Sequence, residues 1–184
     1  MERDVEKLKS YLAGAGVREV VHPSNTEFLS HLDGVYRWLE RWRLPAHVKL
    51  AGLFHSVYGT QAFEEFSMPL SRRGEIRALI GEAAERLVYA YCALTYQSLG
   101  ESLRSGGAPR LWDRFEERPL PVTGREYTDL LWIKLADILE QDARARAEVA
   151  PEQTIGIRYG WKRLAERLGG AALESWREVY GPAK

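Results

Sequence analysis

Apolar residues recur every three or four positions along most of the chain, the pattern of helices that bury one face. In residues 2–13 that face holds Val5, Leu8, Tyr11 and Leu12, and Gly14 and Gly16 end the segment. Ser24-Asn25-Thr26-Glu27 forms a capping box, in which the first and last side chains satisfy each other's free backbone donors. It opens a helix carrying Phe28, Leu32, Val35, Tyr36 and Leu39 to about Arg43. Pro45 suits a first helical turn, and the helix it starts holds Val48, Leu50, Ala51, Leu53 and Phe54, with Gly59 as its break. Helices follow over Ser71 to Ile80 and Glu82 to about Leu99, with Gly81 between them. The Gly- and Pro-rich stretch SGGAPRLWDRFEERPLPVTG reads as one long irregular segment, either a lid or a surface connection. Thr123-Gly124-Arg125-Glu126 is a second capping box, launching the strongly apolar YTDLLWIKLADILEQ. A helix from Pro151 to Leu168 ends at Gly169-Gly170, and a short one closes the chain. Strand-like alternation is nearly absent, so the expected fold is an all-α helical bundle.

Composition narrows the class. The 184 residues are 45% hydrophobic, enough for a sizeable core in a single domain over 1–184. Lys plus Arg and Asp plus Glu are 26 each, a balance that speaks against nucleic acid or an anionic membrane as the main partner. No apolar run approaches the roughly 20 residues that span a bilayer. The charged start MERDVEKLKSYL lacks the apolar core of a signal peptide, so the expected location is cytoplasmic. The lone Cys92, in LVYAYCAL, reads as a buried, inert thiol.

Three polar residues stand in apolar helical surroundings: His31 in FLSHLDGVYRWL, His55 in AGLFHSV and Asp137 in LWIKLADILEQ. His31 and His55 lie at comparable distances on either side of the turn near Pro45. An antiparallel helix pair therefore sets them at similar heights. Two imidazoles at one level, joined by a carboxylate from a third helix, form a two-His, one-carboxylate set with open coordination positions. Read without metal, each histidine is a hydrogen-bonded core residue, and Asp137 is a buried acid paired with Lys134 or an arginine.

The order and surroundings of these residues resemble the HD-domain superfamily of metal-dependent phosphohydrolases, nearest in pattern to the Rel/SpoT-type alarmone hydrolase domain and to an uncharacterised HD-like branch. SHLDGVYRWLERWRLPAHVKLAGLFHS resembles the family's first His, its helical hairpin and its alanine-leucine-leucine-His-Asp segment. RALIGEAAERLVYAYCAL resembles the segment that follows, and WIKLADILEQ the lysine-leucine-alanine-Asp signature. The resemblance spans about 20–145, with helices over 151–180 packed on that core. It implies His31, His55 and Asp137 as metal ligands, and it places Gln141 where the Rel family has an amide one turn beyond its last ligand. The chain departs from the pattern at Ser56, where the motif's Asp would stand, and at Gly59 and Thr60, where the family has an acidic pair. A hydroxyl cannot replace a carboxylate's charge, and neither Gly nor Thr serves as a general base.

The expectation is one divalent transition metal per chain, Mn, Zn or Fe, in a hydrolase of a small phosphorylated or nucleotide-like molecule. Alternatives are an iron oxygenase-type enzyme on the same three ligands, and a metal-free ligand-binding protein. Further candidates are Glu64 as a base from a loop, Arg73 for holding substrate, and Tyr58 beside the site. Ser56, Thr60 and Gln141 are expected at the pocket, and His22 is placed near His31. Apolar helical surfaces make a homodimer reasonable.

Overall fold

The computed structural model describes residues 4–15, 28–145 and 155–181. The helical periodicity is realised as α1 (Val5–Gly14), α2 (Phe28–Arg41), α3 (Ala46–Phe54), α4 (Arg73–Ile80), α5 (Glu82–Ala93) and α6 (Tyr96–Ser105), then α7 (Gly124–Ala145), α8 (Ile155–Leu168) and α9 (Gly170–Tyr180). A 3-10 turn, Leu70–Arg72, leads into α4. The capping box predicted at Thr123 forms: Thr123 N donates to Glu126 Oε2 at 2.7 Å, and Glu126 N to Thr123 Oγ1 at 3.2 Å. The box predicted at Ser24–Glu27 lies outside the described residues.

At the centre, α2 packs against both α3 and α7, and α3 rests on α5. One continuous core joins these helices, with Leu12, Phe28, Val35, Leu39, Phe54, Ile133 and Leu139 fully buried. The two last helices pack on α7 and on each other, so the chain forms a mostly α single domain. No helix among the described residues is long and apolar enough to cross a membrane.

The close approach of α3 to α2 depends on Gly52. A Cβ there would sit 2.1 Å from Leu39 Cδ1, deep inside van der Waals contact. A methyl group there would displace the Leu39 side chain from between the two helices that carry the histidines.

The structure differs from the sequence reading in three places. The helix from Pro45 ends at Phe54, before Gly59, and leaves His55 as its C-cap. The helix expected to reach Leu99 breaks after Ala93, because a hairpin captures the freed backbone: Thr95 N donates to Trp112 O at 3.1 Å and Arg114 N to Ala93 O at 2.8 Å. Thr95 then caps α6. That hairpin, β1 (Leu111–Asp113) and β2 (Arg118–Leu120), occupies the segment expected to be irregular and qualifies the all-α expectation. Its antiparallel register pairs Leu111 with Leu120, Trp112 with Pro119 and Asp113 with Arg118. Three-residue strands are too short to show alternation in sequence. Trp112 is exposed on the hairpin, and His47 lies partly covered 3.4 Å from Asp129.

Candidate metal centre

His31 sits on the buried face of α2, one turn after Phe28, and the two rings stack at 6.4 Å. His55 caps α3, and Asp137 projects from the middle of α7. All three are buried. His31 Nε2 lies 3.3 Å from His55 Nε2 and 3.4 Å from Asp137 Oδ1, and His55 Nε2 lies 3.8 Å from that oxygen.

Each of the three is oriented from behind. His55 donates its Nδ1–H to the Gly52 carbonyl at 2.8 Å, which leaves an Nε2 lone pair facing inward. His31 Nδ1 meets the buried carboxylate of Glu140. Asp137 Oδ2 accepts from Tyr91 Oη at 2.6 Å and from Lys134 Nζ at 2.9 Å, so Oδ1 is the oxygen that faces the histidines, with the Gln141 amide donating to it. Partners of this kind fix tautomer and ring orientation in metal sites.

Two imidazole lone pairs and a carboxylate oxygen converging at this range call for a positive charge between them, a proton or a metal ion. Ligand atoms set tetrahedrally at normal Zn–N and Zn–O lengths stand roughly 3.3–3.4 Å apart, close to the spacings found here. His31, His55 and Asp137 thus form a buried group with the donor types and spacing that hold a metal ion.

Electrostatics place the positive charge on His31 when no metal is bound. Burial acts to depress His31, but hydrogen bonds to Asp137 and Glu140 outweigh it and raise its pKa to about 9. His55, wholly buried, is lowered to about 3 by desolvation, so its ring is neutral and able to ligate. Burial would raise Asp137, yet Lys134 and the two histidines hold it well below the usual carboxylate range.

His31 and Asp137 line a cavity of about 320 Å³, whose walls include Ser56, Thr60, Phe63, Tyr96, Gln141 and Trp161, with His55 buried behind them. Lys134 faces it as well, 7% exposed, with its ammonium among the rings of Tyr91, Tyr96 and Trp161.

Residues 11–95 match a family described as a domain of unknown function, DUF6817. That stretch includes both histidines and stops short of Asp137. No curated protein and no solved structure matches the chain.

Ser56, Thr60 and Gln141 line the cavity beside His31 and Asp137. Three other expectations are corrected. Arg73 turns away to clamp buried Glu85, through Nε at 2.7 Å and Nη2 at 3.2 Å, and lines a different cavity. Tyr58 donates to the same Glu85 at 3.1 Å. Glu64 is an exposed acid paired with Arg114 at 3.0 Å. In each case a nearer partner of opposite character, invisible along the chain, claims the side chain. His22 lies outside the described residues. Cys92 is buried as expected, its thiol donating to the His55 carbonyl at 3.0 Å, and burial raises its pKa to about 12.

Sequence reasoning missed Glu140 and Tyr91. Glu140 carried a legible signal, being an acid three positions after Asp137 in an otherwise apolar stretch and therefore on the same helix face. It fits only because residue 34 is glycine: a Cβ there would lie 2.6 Å from Glu140 Cγ and 2.8 Å from its Oε1. Gly34→Ala should push Glu140 off His31 and weaken metal binding by about 10–100-fold. Competition against a chelating dye measures this, and an unchanged affinity would show that Glu140 does not orient the ligand.

Proposed function

We propose that this protein is a metal-dependent hydrolase of the HD-superfamily kind, acting on a small phosphorylated or nucleotide-like molecule with one divalent transition metal, Mn, Zn or Fe. The observation that carries this reading is the convergence of His31 Nε2, His55 Nε2 and Asp137 Oδ1, two of whose residues, His31 and Asp137, line a cavity of small-molecule size. A bound divalent ion at such a set supplies a water nucleophile at neutral pH.

The chain's own residues supply the rest. His31, His55 and Asp137 hold the ion, with Glu140, the Gly52 carbonyl, Tyr91 and Lys134 keeping their donor atoms aimed. Lys134 presents a buried cation to the cavity, suited to the negative charge of a phosphoryl group. Ser56, Thr60 and Gln141 offer hydroxyl and amide contacts, and the rings of Phe63, Tyr96 and Trp161 limit water and give apolar faces to a substrate. With Ser56, Gly59 and Thr60 at the positions where the family pattern is acidic, the donors suffice for one ion and not for two.

One observation favours a second reading, a metal-free ligand-binding protein. The Asp137 carboxylate already meets Lys134, Tyr91 and Gln141, so the cluster closes on a proton as well as on a metal.

Elemental analysis of untagged protein purified without chelator, beside His55→Ala, separates the two. One equivalent of transition metal in the wild type and none in the variant is expected, together with turnover of generic phosphoesters on adding manganese or zinc. Iron accompanied by oxygen uptake would move the same site to oxygen chemistry. No metal taken up even on reconstitution would leave the binding protein.

A further inference from the structure

Away from the histidines, a cavity of about 200 Å³ lies between α5 and the β1–β2 hairpin. Three guanidinium groups line it, from Arg73 at the start of α4, Arg86 on α5 and Arg118 on β2. Arg73 stands over the Tyr89 ring at 3.8 Å, with its Nε and Nη2 engaged by Glu85. Arg86 gives Nε to Glu126 and Nη2 to the Pro121 carbonyl, the latter at 3.1 Å. The Nη1 groups of both arginines have no protein partner among the described residues.

The carboxylates around this cavity are mostly engaged by the fold. Asp113 accepts from Tyr89 Oη at 2.7 Å and, through its other oxygen, from the backbone N–H groups of Phe115 and Glu116. Glu126 caps α7 while it holds Arg86. Glu116, at the rim, reaches only to 3.5 Å of Arg118. The Nη1 groups of Arg73 and Arg86 and the exposed Arg118 guanidinium are thus left as donors at the cavity, beside the loosely held Glu116 carboxylate. Leu87, Leu120 and Val122 supply an apolar wall beside this cationic edge.

We propose that this second cavity binds a small oxyanion, phosphate or carboxylate, on a compact body whose apolar part rests on Leu87, Leu120 and Val122. Planar guanidinium forks suit such anions, because two parallel N–H groups meet two oxygens at once. The site stands independently of the metal reading, since it shares no lining residue with the cavity beside His31 and Asp137.

The test is calorimetric titration of the full chain, kept in chelator, with inorganic phosphate and separately with succinate. Saturable binding of one anion per chain at millimolar concentration or below is expected, and whichever probe binds identifies the oxyanion. Arg86→Gln, which keeps a hydrogen-bonding side chain, should weaken binding about tenfold or more at an unchanged melting temperature. Arg118→Gln, on an exposed side chain, gives the same reading should Arg86→Gln disturb the fold. His55→Ala should leave the affinity as it is. Absence of binding by both probes, equal affinity in both arginine variants, or loss of binding in His55→Ala would each overturn the proposal.

Discussion

Asp137→Asn is expected to be among the most destabilising single substitutions in this chain, even in metal-free protein. Its carboxylate neutralises Lys134, whose ammonium is almost fully buried among three aromatic rings. Asparagine keeps the shape and removes the charge, so Lys134 would remain in the interior as a cation without its anion. Breaking a buried pair from one side costs about 3–5 kcal/mol. For a chain of this length, that corresponds to a fall in melting temperature of roughly 6–20 °C. The double variant Lys134→Met, Asp137→Asn should recover much of the loss, because replacing both partners removes the stranded charge. Thermal melts of the four proteins in chelator measure the coupling. A loss below about 1 kcal/mol for Asp137→Asn would mean that Lys134 finds water or another acceptor. The same variant should also lose metal, and making both measurements keeps the effect on folding apart from the effect on the site.

Glu85→Ala is the second large effect, and it lies wholly outside the candidate site. Glu85 is 1% exposed and gathers Arg73, Tyr58 and, at 3.6 Å, Arg77 around one carboxylate. Removing it leaves the Tyr58 hydroxyl without its acceptor and the Arg73 guanidinium without its clamp, and opens a void between α4 and α5. The Arg73 side chain is 31% exposed, so water screens part of the lost attraction, and the expected cost is about 2–4 kcal/mol. Arg77→Ala, on a side chain 48% exposed and farther away, should cost less than about 1 kcal/mol. Denaturant unfolding of both variants tests the contrast. Equal losses would show that Glu85 acts through general surface charge, and not through the buried clamp.

The residues that misled sequence reasoning share one property. Arg73, Tyr58 and Glu64 are polar side chains near His55 along the chain, and distance along the chain says little about which way a side chain turns once a helix ends. Glu85, twelve positions beyond Arg73, decided the direction of two of them, and Arg114 from the hairpin took the third. The hairpin escaped notice for a related reason. Its three-residue strands are held by backbone bonds to the end of α5, which no local pattern encodes.

What the sequence determined by itself was periodic or punctual. The helical character of the chain, the capping box at Thr123 and the pairing of His31 with His55 at one level all follow from spacing, because helix rise and pitch are constant. Asp137 was legible as a polar residue in an apolar face, with Lys134 or an arginine as its partner. Only the tertiary structure decided which atoms face each other. It put Glu140 behind His31 in the space that Gly34 leaves, pinned Asp137 Oδ2 with Tyr91 and Lys134 so that Oδ1 turns to the histidines, and gathered Arg73, Arg86 and Arg118 around a second cavity. These arrangements join residues from separate helices, and their geometry comes from packing across the core, which no one-dimensional pattern records.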